Sequence, residues 1–218
     1  MVSVIIPAFN EESRVVSVVR SAMSSGLADE IIVVDDGSTD GTASAARAAG
    51  ARVVRLSSNQ GKGAAMVAGA RACSGSILVF LDADLVGFRP DHLKQLIVPV
   101  RTGRCTMSLG VLKGGGFWSS NAQAMFPFFT GQRAMTRAFF ESVPHLARER
   151  MGAEVALNAY AKQIGAKVLR VYLQGVGNTH KESKLGVVRG TAARAKMYKE
   201  MAHAVVRARR HTSFTSWR

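Results

Sequence analysis

The residues best placed to do chemistry in this chain are Asp82 and Asp84, separated by Ala83 and preceded by the apolar run Ile77-Leu-Val-Phe-Leu81. A short, unbroken apolar run is the pattern of a strand buried on both faces. In extended backbone, residues two apart point to the same side, so the spacing predicts two carboxylates aimed at one point beyond a strand end. Ligands of open α/β sheets bind outside the carboxyl ends of the strands. Two hard oxygen donors there suit Mg²⁺ or Mn²⁺, which would also hold substrate phosphates. The plain alternative is a polar turn after a core strand, and the neighbouring sequence decides between the two.

Two other apolar runs end in similar turns. Val2 to Ile6 leads into Pro7-Ala-Phe-Asn-Glu-Glu12, and Ile31 to Val34 leads into Asp35-Asp-Gly-Ser-Thr-Asp-Gly41. In a parallel sheet such turns share one edge and line one cleft. There Ala8 and Phe9 can accept a flat base, and an acid after the second strand can hydrogen-bond a base or ribose. A metal on the Asp pair would neutralise a pyrophosphate. Lys62, in Asn59-Gln-Gly-Lys-Gly63, opens a helix and offers positive charge and free N–H groups to an anion.

The elements that must position these groups follow from periodicity. Asn10 is a good N-cap for a helix carrying Val15, Val16, Val18, Val19, Ala22 and Met23 on one face and stopping at Gly26. Asp40 can cap a second, Ala-rich helix ending at Gly50. Val53, Val54 and Leu56 form a short third strand, and the Lys62 helix ends near Gly75. Strands alternating with helices over short connections predict a parallel α/β sheet with right-handed crossovers. Beyond Asp84 the pattern predicts a helix over 90–100 with Leu93, Leu96 and Ile97 inward, and a strand over 106–112. Lys113 to Gly116 reads as a flexible turn, and Phe117 to Phe129 as aromatic core or acceptor-pocket wall. Gly131-Gln-Arg-Ala134 reads as a polar turn before a helix over 137–143. A helix over 154–164, a strand over 166–173, a loop over 175–184 containing His180, and a long basic helix over 187–210 complete the chain.

Composition narrows the classes. The 218 residues can bury one large core, and no apolar stretch is long enough to span a bilayer. Met1-Val-Ser-Val-Ile-Ile-Pro7 reads as a first strand, not a signal peptide. Cys73 and Cys105 lack metal-ligand spacing and read as free buried thiols of a reducing, cytoplasmic protein. The net charge of +14 is the outlier, and much of it is concentrated from Lys181 onward. Phosphorylated substrates, an anionic membrane face, nucleic acid and a plain solvated helix all fit that tail.

The four segments Pro7-Ala-Phe-Asn-Glu-Glu12, Val34-Asp-Asp-Gly-Ser-Thr-Asp-Gly41, Asn59-Gln-Gly-Lys-Gly63 and Asp82-Ala-Asp84 together resemble the ordered motifs of family 2 glycosyltransferases of the GT-A fold. The last resembles that fold's DxD motif, and the likeness covers about the first hundred residues. It implies a GT-A, Rossmann-like α/β fold with a mostly parallel sheet flanked by helices, plus a basic C-terminal helix. Residues 1–185 would be the glycosyltransferase domain, with a nucleotide-sugar half over 1–100 and an acceptor half over 101–185. Residues 186–218 would be a helical extension. The implied activity is transfer of a sugar from a nucleotide-sugar, with UDP favoured, to a hydroxyl or phosphate acceptor such as a polyprenyl phosphate or a small phosphorylated metabolite.

The resemblance also implies roles. Pro7, Ala8, Phe9, Glu11 and Asp36 would hold the nucleoside. Lys62 would approach the diphosphate or sugar, and Asp82, Ala83 and Asp84 would hold ribose, metal and pyrophosphate. Gly131, Gln132 and Arg133, and the segment Gly152-Ala-Glu154, resemble acceptor-side segments of polyprenyl-phosphate and phosphoglycerate glycosyltransferases. Glu154 would then be the acceptor-side acid or base, with Asp84 and Lys62 the other catalytic groups. His180 would join Asp82 and Asp84 as a ligand of Mg²⁺ or Mn²⁺. No nucleic-acid partner is implied, and peripheral contact with the inner membrane face and homo-oligomerisation stay open.

Two other classes compete. A sugar-1-phosphate nucleotidyltransferase would want a Gly-rich, basic loop directly after the first strand, where Pro7-Ala-Phe-Asn10 stands. A non-catalytic membrane or nucleic-acid adaptor would work through the basic tail alone, with steep salt dependence and no need of metal or nucleotide-sugar.

Overall fold

Val4, Ile5 and Ile6 are fully shielded from solvent, as expected of a strand that presents both its faces to packed helices. The computed structural model describes residues 1–114, 130–150 and 152–178. The described strands are β1 (Val2–Ala8), β2 (Glu30–Asp35), β3 (Arg52–Arg55), β4 (Ile77–Phe80), β5 (Leu85–Val86), β6 (Met107–Gly114), β7 (Arg133–Thr136) and β8 (Val168–Asn178). The helices are α1 (Glu12–Met23), α2 (Thr42–Ala48), α3 (Lys62–Ala72), α4 (Pro90–Arg101), α5 (Arg137–Ser142) and α6 (Ala153–Gln163), with a 3₁₀ turn at Leu146–Arg148 before α6.

The sheet runs in the order β3-β2-β1-β4-β7-β6-β8-β5. The β1, β2, β3 and β4 pairings are parallel, as is β6 with β8, whereas β7 is antiparallel to both β4 and β6. Alternation along β1 sends Val4 and Ile6 into a core shared with Val15, Val18 and Val19 of α1 and Leu93, Leu96 and Ile97 of α4. Ile5 points the other way, to Met66 of α3, Phe139 and Phe140 of α5 and Leu157 of α6. Helices therefore cover both faces, and the turns after β1, β2 and β4 emerge along one edge.

Four sequence expectations change. Lys113 and Gly114 do not form a flexible turn but end β6, paired with Gln174 and Val176 of β8. Gly131 to Ala134 is not simply a turn: Arg133 and Ala134 open β7, a central strand whose residues Arg133 to Met135 are buried. An arginine at that place hides the strand from a pattern reading, because nothing local announces that its charge will be buried. Nor is Gly175 the start of a loop. With a φ of +73° it bends β8, which continues to Asn178 and pairs with β5. Asn10 does not cap α1 either. It adopts a φ of 55°, and its side chain accepts the Thr39 N–H at 2.9 Å.

The Phe117–Phe129 stretch, His180, the 187–210 helix and the 186–218 extension lie outside the described residues. Cys73 and Cys105 are free thiols, Cys105 buried and Cys73 half-buried. Among the described residues no helix is long and apolar enough to cross a membrane.

Candidate functional site

The turns after β1 and β2 are stitched into one block. The Asn10 N–H donates to Ser38 Oγ at 2.9 Å, and the Glu11 N–H to Thr42 Oγ1 at 2.8 Å. The Gly41 N–H returns a bond to Glu12 Oε2 at 3.0 Å. Small hydroxyls and acids recur in both motifs because each turn must supply acceptors for the other's orphan N–H groups. Pro7 and buried Ala8 lie on β1 beside Val34 and Asp35. Phe9 follows with 43% of its surface exposed.

The acids after β2 have internal partners. Asp35 Oδ1 accepts the Ser38 N–H at 2.8 Å, and Arg55 Nε lies 3.2 Å from its Oδ2. Asp36 is buried, and its two oxygens accept the Gln60 and Gly61 N–H groups, each at 2.8 Å. Asp36 thus holds the loop that leads to Lys62. Two strong charge-assisted bonds to backbone make this a rigid clamp, and any nucleoside contact by Asp36 must share oxygens already in use.

Lys62, the first residue of α3, is the hub. Its ammonium lies 2.5 Å from Asp82 Oδ1 and 2.5 Å from Glu154 Oε1. Burial by itself lowers a lysine's pKa, but Asp82 and Glu154 more than reverse this and hold the ammonium above its ordinary value. Lys62 is therefore a fixed cation at neutral pH. The helix start itself is not open to an anion in the way the sequence predicts. The Lys62 N–H donates to Arg150 O at 2.7 Å and the Gly63 N–H to Glu149 O at 3.0 Å. A segment nearly ninety residues away in sequence occupies those amides, so any anion here is recognised through the Lys62 side chain. Gly61 permits the close approach: its φ is +95°, and a Cβ there would fall 2.7 Å from Arg150 Cα. Arg150 also donates from Nη2 to Asn59 Oδ1 at 2.7 Å.

This docked segment leads into α6 and sets Glu154, which is 8% exposed. Behind it stands Arg133, fully buried, donating from Nη2 to Thr130 O at 2.6 Å and from Nη1 to Asn158 Oδ1 at 3.4 Å. Burial pulls the Arg133 pKa down to about 10 against the opposing pull of Glu154 and Asp82, so it stays charged at neutral pH. Two cations and two carboxylates therefore offset one another. Sequence inspection does not single out Thr130, Asn158 or Arg150, since no local pattern marks their part in this cluster.

Asp82 and Asp84 lie past the end of β4, which closes at Phe80. The turn, not strand alternation, sets their aim, and buried Ala83 anchors it in the α1 and α4 core. Asp82 Oδ1 faces Lys62, and Asp82 Oδ2 accepts from Gln132 Nε2 at 2.6 Å. Gly131 packs on the same carboxylate so tightly that a Cβ would collide with it. Gly131 and Gln132 therefore border Asp82 itself, while Arg133 sits inside the sheet.

Half-exposed carboxylates at a strand end fit Mg²⁺ or Mn²⁺, hard ions that need one or two protein carboxylates when phosphates and water complete the shell. Asp82 has donors on both oxygens, so a cation drawing on Asp82 would have to displace Lys62 or Gln132 from it. Among the described residues no three His, Cys, Asp or Glu side chains gather as a ready metal cage, and His180 lies outside them.

The acidic pair and the lysine thus stand at the carboxyl edge of a Rossmann-like sheet, where ligands of such folds bind. The chain belongs to Glycosyl transferase family 2, whose sequence model matches residues 3–157. It is 42% identical over 111 residues to glucosyl-3-phosphoglycerate synthase of Mycobacterium tuberculosis, covering 47% of this chain and 34% of that protein. It is 37% identical over 107 residues to undecaprenyl-phosphate 4-deoxy-4-formamido-L-arabinose transferase of Pseudomonas paraeruginosa, covering 44% of this chain and 31% of that one. The matched stretch thus spans about a third of these relatives' length.

Among solved structures, the M. tuberculosis glucosyl-3-phosphoglycerate synthase bound to Mn²⁺, UDP and glucosyl-3-phosphoglycerate superposes with a TM-score of 0.77 at 26% identity. That match covers 95% of this chain and 79% of the other. The same enzyme with Mg²⁺ and UDP gives 0.74 at 27% identity, over 95% of this chain and 79% of the other. The GT-A fold and the family expected from the motifs are both borne out.

Proposed function

We propose that this chain transfers a sugar from a uridine diphosphate sugar to a phosphate-bearing acceptor, with Mn²⁺ or Mg²⁺ as cofactor. The observation that carries the reading is the bridge from Lys62 to Asp82 and Glu154. It joins the end of β4 to the acceptor-side helix α6 at the carboxyl edge of the sheet. Residues 1–100 form the donor half in this reading, and residues 101–185 the acceptor half. Pro7, Ala8, Phe9, Glu11 and Asp36 border the nucleoside.

The reaction breaks the bond between the anomeric carbon and the β-phosphate oxygen and forms one to an acceptor oxygen. Asp84, with His180 as its further expected partner, would hold a divalent ion that would supply charge neutralisation at the diphosphate, whereas Asp82, which the motif also suggests as a ligand, keeps its oxygens on Lys62 and Gln132 in this reading. Lys62 brings a second fixed charge to the same place, and such preorganised charge is worth most where negative charge develops. Asp82 and Glu154 hold Lys62 in position. With a hydroxyl acceptor, Glu154 takes the proton; a phosphate acceptor arrives as an anion and needs no base. Gly131 and Gln132 form the boundary between donor and acceptor sides, while Arg133, also expected there, is buried inside the sheet.

Two acceptor chemistries fit: a small phosphorylated metabolite, or a polyprenyl phosphate. For the second, the basic 186–218 extension would bring the enzyme to an anionic membrane face, at about 1 kcal/mol per basic residue near the surface. The test is a purified-protein assay of UDP release from UDP-glucose with Mn²⁺, comparing 3-phosphoglycerate and undecaprenyl phosphate as acceptors. Metal-dependent UDP release with either supports the proposal and selects the acceptor. No release, together with no UDP-induced thermal stabilisation in the presence of Mn²⁺, refutes it.

A further inference from the structure

Gln132 is 1% exposed and sits immediately before β7. Its Nε2 donates to Asp82 Oδ2 at 2.6 Å, while its Oε1 lies 2.6 Å from the Thr130 hydroxyl. The orientation is dictated by chemistry. An ionised carboxylate only accepts, so it requires the NH₂ end of the amide. The Thr130 hydroxyl lies 2.6 Å from both Gln132 Oε1 and the Gly110 carbonyl oxygen, and its one proton serves one of these acceptors at a time, so the orientation rests on the Asp82 contact. The backbone is pinned too, because the Gly110 N–H of β6 donates to Gln132 O at 2.8 Å.

We infer that Gln132 is a positioning residue: it locks the Asp82 carboxylate toward Lys62 and keeps it from joining Asp84 on the metal. The inference rests on the glycosyltransferase reading above. The grip on Asp82 has three parts. Lys62 takes one oxygen, Gln132 takes the other, and Gly131 closes the side where a Cβ would collide. Lys62 alone does not fix a carboxylate. A single ion pair leaves the group free to turn about its last torsion, and a turned Asp82 would present an oxygen to the cation instead of to the lysine. The neutral amide prevents this without adding charge. It also secures Lys62, whose other anchor, Glu154, comes from a different helix.

The residue type is specific. Glutamate at 132 would set two carboxylates in hydrogen-bond contact, and methionine would keep the volume while removing the donor. Arg133, the next residue, is directed into the sheet toward Thr130 and Asn158. The turn thus divides its labour, with Gln132 serving the cleft and Arg133 the interior. The link crosses fifty positions of sequence and two antiparallel strands, so it ties the late turn directly to the acidic motif.

The experiment uses the full chain and the variants Gln132→Met and Gln132→Glu. Melting is followed for folding, Mn²⁺ affinity at saturating UDP by electron paramagnetic resonance, and kcat and KM for the sugar donor by UDP release. A lost positioning contact is expected to lower kcat of Gln132→Met by about a hundredfold, with KM for the donor moved far less. Mn²⁺ affinity is expected to tighten by at least about threefold, because Asp82 becomes available as a second carboxylate ligand. Gln132→Glu should lose at least as much kcat.

A buried amide that merely fills space would lower the melting temperature and leave both kcat and Mn²⁺ affinity within about twofold of the parent. That outcome overturns the inference. If Gln132→Met does not fold, Thr130→Val, which removes the hydroxyl beside the amide oxygen, is judged by the same two readings. A parent chain that binds no UDP with Mn²⁺ removes the glycosyltransferase reading and this inference with it. A parent that binds and turns over while the variants match it removes this inference alone.

Discussion

The Lys62 ammonium and the Glu154 carboxylate meet at 2.5 Å, joining the first turn of α3 to the first turn of α6. The two residues are ninety-two positions apart, and their contact is supported by backbone. The carbonyls of Glu149 and Arg150 accept from the amides of Gly63 and Lys62. The lysine and the carboxylate are therefore placed as one unit.

Glu154→Gln tests the carboxylate. The amide keeps the size and can still contact Lys62 through its oxygen, and Lys62 retains Asp82. With a hydroxyl acceptor, turnover should fall by about 10²- to 10⁴-fold, the usual worth of a positioned general base, with UDP affinity little changed. With a phosphate acceptor the loss should be much smaller. Steady-state assays with both acceptor types check this. Undiminished turnover with a hydroxyl acceptor would free Glu154 from any role in proton transfer.

Lys62→Met should cost stability as well as activity, because it leaves Asp82 and Glu154 facing each other without their shared cation. Removing one partner of a buried ion pair costs about 3 kcal/mol or more. The pH dependence follows from the raised lysine pKa. Such a group stabilises fully below the unfolded lysine value of about 10.4 and loses this only as pH rises through its folded value. The gap between parent and variant in urea unfolding should therefore hold constant from about pH 6 to 9. A gap that closed within that interval would contradict the ion-pair assignment.

Glu30 gives the opposite pH signature. It accepts from Ser3 Oγ at 2.7 Å and from the Ser74 and Gly75 N–H groups at 2.7 and 3.2 Å, tying the entry of β4 to β1 and β2. Burial alone would raise its pKa, but these bonds lower it below the ordinary glutamate value. A depressed carboxyl stabilises above the unfolded value of about 4.3 and loses that contribution as pH falls through the folded one. Glu30→Gln should be less stable than the parent near neutrality by about 1–3 kcal/mol, with the gap shrinking below about pH 4. Urea titrations at pH 7 and pH 3.5 measure it. A gap equal at both pH values would show that the charge on Glu30 contributes nothing.

The legible part of this fold is what periodicity and local chemistry encode. The runs at Val2, Ile31 and Ile77 are the buried parallel strands. Val15, Val18 and Val19, and Leu93, Leu96 and Ile97, are the helix faces fully removed from solvent. The acidic motif falls at the sheet edge because strand ends in such folds are where turns can carry charge. The illegible part is tertiary. β5 is two residues long, too short for any period. The strand character of β7 is masked by Arg133, whose burial depends on Thr130 and Asn158. The start of α3 reads as an open anion site, since nothing near Lys62 in sequence announces that Glu149 and Arg150 will fill its amides. Asp36 reads as a ligand-facing acid for the same reason, its backbone partners lying some two dozen residues ahead.

Asp84 and Asp82 should separate in their response to metal. Asp82 has Lys62 on one oxygen and Gln132 on the other, so replacing it with asparagine disturbs the lysine while leaving Asp84 in place. Asp84 stands on the turn before β5 and is the carboxylate proposed to hold the cation. A ligand that binds only the folded state raises stability by mass action, about 2.7 kcal/mol at a hundred times its Kd. For the parent, UDP with Mn²⁺ should raise the melting temperature well above UDP alone. Asp84→Asn should make the two shifts equal and abolish turnover. Its unliganded melting temperature should stay level or rise, since one of two neighbouring like charges is gone. Asp82→Asn should lose turnover but keep a larger shift with Mn²⁺ than without. A thermal-shift series over UDP, Mn²⁺ and both together reads all of this. Should Asp82→Asn erase the metal dependence while Asp84→Asn retains it, the two roles would have to be exchanged, and the Lys62 and Gln132 contacts to Asp82 would not describe the metal-bound state.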